Sequence, residues 1–176
     1  MKKRYFKCPD CGNMMTVNKS VTGKKAKAAG NYFERKVAKF FEKHTGLRWK
    51  RTPASGAFTI PGDIFCLDLT SQPFVVECKN REEIKLKNLF MNPKRTLTDK
   101  KTKELLINDD QLLVFNEYGL LIAVTSLPFL AKRSLDEAEE SINMAASFVL
   151  EGFLCYAFRL EDFLKIFNWE VSEDDD

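Results

Sequence analysis

Pro61-Gly62-Asp63-Ile64-Phe65-Cys66-Leu67-Asp68-Leu69, then Thr70-Ser71-Gln72-Pro73, then Phe74-Val75-Val76-Glu77-Cys78-Lys79: this stretch decides the fold. Asp63 to Leu69 and Phe74 to Lys79 read as two strands, and the turn residues Thr70–Pro73 between them imply a hairpin. Both runs are nearly continuous in apolar residues, which predicts a sheet covered on both faces. Strand side chains alternate faces, so Glu77 and Lys79 share one face and Cys78 takes the other. A carboxylate closing a buried run is costly unless a cation or metal pairs with it. The plainer alternative is that Glu and Lys, two apart, decorate a solvated strand face.

Upstream, Ala28 to Lys43 reads as a helix. Its apolar residues Phe33, Val37, Phe40 and Phe41 recur at three- and four-residue steps, and Gly46 suits a helix stop. Leu47 to Arg51 alternates as a short strand would, and Thr52-Pro53-Ala54-Ser55-Gly56-Ala57 interrupts regular structure. Downstream, Asn80 to about Asn108 is polar and broken by Pro93. Leu112–Phe115 and Leu120–Thr125 form a second hairpin around Asn116-Glu117-Tyr118-Gly119. Helices fit Asp136–Leu150 and Leu160–Phe167, with a strand over Phe153–Phe158. The expected organisation is a basic N-terminal arm over residues 1–28, one α/β domain over 29–170 with a mixed central sheet flanked by helices, and an acidic tail over 171–176.

Charge is distributed unevenly over the 176 residues. Residues 1–105 hold 24 Lys/Arg against 10 Asp/Glu, a net of +14, while residues 106–176 hold 4 against 15, a net of −11. The basic part points to a polyanionic partner. The tail Ser172-Glu173-Asp174-Asp175-Asp176 is expected to stay solvated. Lys24, Lys25 and Lys27, with Arg48, Lys50 and Arg51, suit a track for nucleic-acid phosphates. Lys85, Lys87, Lys94, Arg95, Lys100, Lys101 and Lys103 offer another, although surface lysines also serve solubility alone. His44 reads as structural or exposed, and Trp49 and Trp169 as core.

No run of 18 or more apolar residues occurs, so no membrane partner is expected. The start Met1-Lys2-Lys3-Arg4-Tyr5-Phe6-Lys7 lacks the apolar stretch of a secretory signal. Five cysteines, only Cys8 and Cys11 of them close together, are poor material for a disulfide framework and fit reduced thiols in a cytoplasm. Cys8-Pro9-Asp10-Cys11-Gly12 looks like half of a zinc ribbon. A closed structural site takes four ligands, and Cys66, Cys78, Cys155 and His44 are the other candidates. A free-thiol arm is the favoured reading; zinc shared between two chains is the alternative.

A hairpin register that sets Asp63 beside Glu77 and Lys79 would bring two carboxylates and an ammonium to one spot. Mg²⁺ is commonly held by one or two carboxylates plus water and phosphate oxygens, and Mn²⁺ is expected to substitute. An ion there can activate water and neutralise charge on a phosphate. Lys79 would position the attacking water or stabilise the charge that develops.

Asp, a hairpin gap and Glu-x-Lys form the signature of the PD-(D/E)xK nuclease superfamily. Over residues 30 to 81 the chain resembles, more specifically, the archaeal-type Holliday junction resolvases. The resemblance lies in Gly30-Asn31-Tyr32-Phe33-Glu34-Arg35, Arg51-Thr52-Pro53-Ala54-Ser55-Gly56, Pro61-Gly62-Asp63-Ile64 and Glu77-Cys78-Lys79-Asn80-Arg81. It implies a restriction-endonuclease-like fold and a Mg²⁺-dependent endodeoxyribonuclease that resolves four-way junctions by paired symmetric nicks. Asp63, Glu77, the backbone carbonyl of Cys78 and Glu34 would be metal ligands, and Lys79 the catalytic lysine. Arg35 and Arg51 would contact phosphates, with Lys50 and Arg81 on the DNA as well. Ser55 would lie in a loop approaching the cleaved strand. Read without the resemblance, Glu34 is an exposed helix residue among Arg35, Lys36 and Lys39, and Ser55-Gly56 is an ordinary loop. Gly62 stands where the superfamily often has Pro, a harmless variation on this reading. The longer acidic C-terminal part and the poor match after Lys79 depart from the pattern.

Branched DNA is thus the expected partner, and two-fold symmetric cutting calls for a homodimer. The alternatives are a nuclease of the same superfamily acting on duplex, flaps or ends, a non-catalytic recombination accessory protein, and a zinc-ribbon interaction module.

Overall fold

A computed structural model of the protein describes residues 4–7, 14–17, 19–53, 60–80, 84–99, 102–108, 110–131 and 145–165. At the N-terminus β1 (Arg4–Lys7) and β2 (Met14–Val17) pair antiparallel, with Arg4 opposite Val17. Cys8 and Cys11, and the tail from residue 166, lie outside the described residues.

Helix α1 (Lys19–Thr45) is longer than its apolar periodicity suggests. The buried stripe of Phe33, Val37, Ala38 and Phe41 occupies only its second half, while Gly23 to Ala29 are all exposed. Periodicity reports burial, so a helical turn that packs on nothing gives no such signal.

Seven strands form one mixed sheet in the order β3-β4-β5-β6-β7-β9-β8. They are β3 (Trp49–Arg51), β4 (Ile64–Cys66), β5 (Val75–Lys79), β6 (Gln111–Glu117), β7 (Leu120–Ser126), β8 (Ala146–Leu150) and β9 (Phe153–Arg159). Among these described strands only β5 and β6 run parallel. Parallel neighbours need a crossover, here supplied by the chain between Asn80 and Asp110. That segment, expected to be polar and broken at Pro93, contains α2 (Leu86–Met91) and α3 (Pro93–Leu97). Pro93 opens α3 instead of breaking a helix, and Asn92 caps it by accepting from the Arg95 N–H at 3.3 Å.

Two apolar layers sandwich the sheet. On one face α1 packs with α4 (Leu127–Ala131) and α5 (Leu160–Lys165) over Ile64, Val76, Cys78, Leu112 and Val114. On the other, Leu89 of α2 and Leu97 of α3 join Leu113, Phe115, Ile122 and Val124. The alternation of Leu112 and Val114 with Leu113 and Phe115 shows why β6 is an unbroken apolar run: both its faces are core. β4 and β5 are shorter than expected. β4 stops at Cys66, where the Gln72 side chain accepts from the Cys66 N–H and donates to its carbonyl, both at 2.8 Å.

The expected helix over Asp136–Leu150 is corrected in its last part. Residues 146–150 form β8, antiparallel to β9 with Phe148 opposite Cys155, and residues 132–144 lie outside the described residues. The hairpin turn Glu151-Gly152 has φ of 50° and 89°, the pair of left-handed residues that a two-residue type I′ loop demands. Among the described residues no helix is long and apolar enough to cross a membrane. Cys66, Cys78 and Cys155 are buried free thiols.

Candidate active site

The end of the β4–β5 ladder is where the chemistry gathers. Ile64 pairs with Val76, and the Asp63 N–H donates to Val76 O at 2.8 Å, which sets the Asp63 carboxyl close to Glu77. Beyond that pair β4 leaves the sheet at Gly62. The next donor on that edge of β5, the Cys78 N–H, would then lack a backbone acceptor; Asp63 Oδ2 accepts from it at 2.8 Å. A side chain thus continues the ladder that the backbone abandons, which fixes the carboxyl at the strand edge.

Gly62 makes that departure possible. It has φ of +91°, and a Cβ there would meet Val76 O at 3.0 Å and Val76 N at 3.1 Å. A proline, with φ near −65°, could not take this conformation. Glycine in place of proline thus fits this backbone, which in this chain favours glycine at the position.

Glu77 and Lys79 fall on the same face of β5, half-buried, while Val76 and Cys78 are buried on the other. Lys79 Nζ lies 2.7 Å from Glu77 Oε2. Asp63 is pushed up to about 6, first by burial and then by the charge of Glu77, with Glu34 adding a smaller push; the Cys78 N–H and Lys79 oppose these. Carboxylates so close repel one another, and a cation between them would relieve both the repulsion and the burial penalty. Burial holds the Cys78 thiol well above its usual range, so it is not a nucleophile.

Glu34 reaches the site from α1. Its Oε2 accepts from Arg51 Nε in an ion pair, and both side chains are largely buried. Arg51, expected on phosphates, is thus engaged by Glu34. The Thr52 N–H donates to Asp63 O at 2.9 Å, tying the end of β3 to the site. Thr52 is buried, and its hydroxyl has no hydrogen-bond partner among the described residues. Neither Thr52 nor Gly62 stands out as functional in the sequence; the only signal is their place in Arg51-Thr52-Pro53 and Pro61-Gly62-Asp63.

The expected DNA contacts divide. Lys50 is exposed and pairs with Phe65, on the sheet face that also carries Glu77. Arg35 is exposed, about a quarter-turn of helix from Glu34. Arg48 is exposed and paired with Asp68, whose carboxyl it holds below the usual range. Ser55 and Arg81 lie outside the described residues.

Residues 25–99 match the family model described as "Phage putative PDDEXK endonuclease". The matched segment includes Glu34, Asp63, Glu77 and Lys79 together with the strands that align them. The match supports the PD-(D/E)xK superfamily and a nuclease; it does not single out the archaeal-type Holliday junction resolvases. Comparison with curated proteins and with solved structures finds no match. The seven-stranded mixed sheet flanked by helices is an α/β fold of the restriction-endonuclease-like kind.

Nucleases of this superfamily generally use divalent metals, and the donors here fit a hard cation. Among the described residues no three His, Cys, Asp or Glu side chains group closely enough to make a metal centre alone. What is present is a pair of carboxylates, Asp63 and Glu77, beside the Cys78 carbonyl on β5. Two carboxylates with water and phosphate oxygens completing the shell is the way Mg²⁺ is usually bound.

Proposed function

We propose that this protein is a Mg²⁺-dependent endodeoxyribonuclease. The observation that carries the reading is the Asp63 carboxyl held on the Cys78 N–H at 2.8 Å, close to Glu77, with Lys79 Nζ 2.7 Å from Glu77. Asp63, Glu77 and the Cys78 carbonyl would hold the ion, with Mn²⁺ able to replace it. When bound, the ion supplies Lewis-acid activation of water and neutralises phosphate charge. The chain's own part is positional. The Cys78 N–H holds Asp63 Oδ2, leaving the other oxygen of that carboxyl for the site. Lys79 donates to Glu77, and its ammonium would position an attacking water or stabilise the charge developing on phosphate. Glu34, neutralised by Arg51, steadies the α1 side of the site. Arg35 and Lys50 are exposed for phosphate contact.

Branched DNA is a second reading, favoured by the order and spacing of motifs between residues 30 and 81. It brings with it a homodimer, since a symmetric junction needs two matched active sites, and a cytoplasmic protein acting in recombination or repair. The test is cleavage of a labelled four-way junction beside linear duplex, with and without Mg²⁺, using Asp63→Ala as control. Paired nicks in the junction alone, absent in the variant, support a resolvase. Cutting of both substrates keeps the nuclease and discards junction selectivity. A folded protein that binds DNA, is supplied with metal and cuts nothing overturns the enzymatic reading.

A further inference from the structure

Helix α1 overhangs the active site. The chain leaves its C-terminal end, turns at Gly46 and runs back along β3 to Arg51, which pairs with Glu34. The part of α1 before Phe33 therefore projects beyond the end of the sheet where Asp63, Glu77 and Lys79 lie. At 100° per residue, Lys24, Lys27, Asn31 and Arg35 form one stripe beside Glu34, whereas Lys25, grouped with them by sequence alone, points to the opposite side and drops out of the track. Lys24, Lys25 and Lys27 are all exposed.

This overhang is poorly stabilised by its own sequence. From Lys19 to Phe33 it contains no acidic residue, so the first turn of the helix has none either. Lys24 and Lys27, three apart, repel each other. Gly23 and Gly30 weaken a helix interior, yet a Cβ at Gly23 would meet nothing within 4 Å, and one at Gly30 only Glu34 Oε1 at 3.9 Å. Packing within the described residues thus does not require either glycine. A polyanion lying along this face reverses the unfavourable charge interactions, and the two glycines, on the Glu34 side of the helix with Lys27, allow its backbone a close approach.

We propose that the overhanging half of α1 is a rail for the phosphate backbone of duplex DNA flanking the cut on one side, a proposal that rests on the nuclease reading. Lys27 and Lys24 precede Glu34 by 7 and 10 residues, which places them about 10 and 15 Å from it along the axis. These distances correspond to about three and four to five base steps of duplex.

The test measures binding of a labelled duplex by the full chain without divalent metal, over a salt series. Lys24→Gln with Lys27→Gln is expected to reduce the slope of log affinity against log salt by about two, one for each phosphate no longer neutralised. Lys25→Gln, on the opposite side, is expected to leave it unchanged. Shortening the duplex on one side of the cut to fewer than about three base pairs should lower the wild-type slope by the same amount. An unchanged slope in the double variant, or an equal decrease in Lys25→Gln, overturns the rail. Mg²⁺-dependent cleavage of the full-length duplex, measured alongside, separates the two ideas. Cutting with an unaltered slope removes the rail alone, and a slope change without any cutting removes the nuclease alone.

Discussion

The β6–β7 and β4–β5 hairpins belong to one sheet and are built on opposite principles. β6–β7 is buried on both faces, from Leu112 to Phe115 and from Leu121 to Ser126, and closes through the two-residue turn Tyr118-Gly119. β4–β5 is buried only on its α1 face. Its other face carries Glu77 and Lys79, its ladder ends in a side chain rather than a backbone group, and one carboxyl is held against its ionisation preference. The first hairpin is arranged for stability. The second gives up stability where Asp63, Glu77 and Lys79 gather, the usual relation between a reactive site and folding energy.

Four substitutions probe that contrast. Phe115→Ala, in the doubly buried hairpin, should have the largest effect. It removes a fully buried ring and is expected to cost about 3–5 kcal/mol in urea unfolding. A cost under about 1 kcal/mol would mean that β6 is not core. Gly62→Ala should come next. It forces a side chain into a left-handed backbone and against Val76 O, at about 2–4 kcal/mol, with cleavage falling as Asp63 is displaced. Full activity and stability in this variant would remove the case for a glycine-dependent bend.

Asp63→Asn tests the opposite sign. The folded carboxyl sits near 6, above its ordinary 3.8. Its contribution to stability is therefore whole below about pH 4 and is lost as pH rises through about 6. Asparagine mimics the protonated form, so the metal-free variant should be more stable than wild type above about pH 6 by about 3 kcal/mol and equal near pH 4, while losing cleavage. Unfolding curves at the two pH values decide it, and a difference that does not change with pH would refute the crowded carboxyl. Tyr118→Asn is the smallest. Tyr118 has φ of 49° and is exposed, and Asn suits the first position of a type I′ turn, so a gain of about 0.5 kcal/mol is expected. Destabilisation would show that the ring makes contacts the turn needs.

Much of this is legible in the residues. The hairpin over Asp63–Lys79, the helix stripe from Phe33 to Phe41 and the pairing of Leu112–Phe115 with Leu120–Thr125 all follow from periodicity, because burial selects apolar side chains at fixed intervals. The helical reading of Asp136–Leu150 fails over its last five residues. Ala146-Ser147-Phe148-Val149-Leu150 is too short for periodicity to separate helix from strand, and pairing with β9 decides it. The first turns of α1 leave no such trace because nothing among the described residues packs on them.

By itself the sequence determined the α/β class, the strand carrying Glu77 and Lys79 on one face, and the concentration of positive charge before residue 106. These depend on local periodicity and composition, which need no knowledge of distant partners. Only the tertiary structure decided that Asp63 is held on the Cys78 N–H close to Glu77, that Glu34 is held by Arg51, and that a side chain at Gly62 would crowd Val76. Register, ion-pair choice and steric fit arise between residues 14 to 17 positions apart. No local pattern specifies them, because they are settled when the strands and α1 pack together.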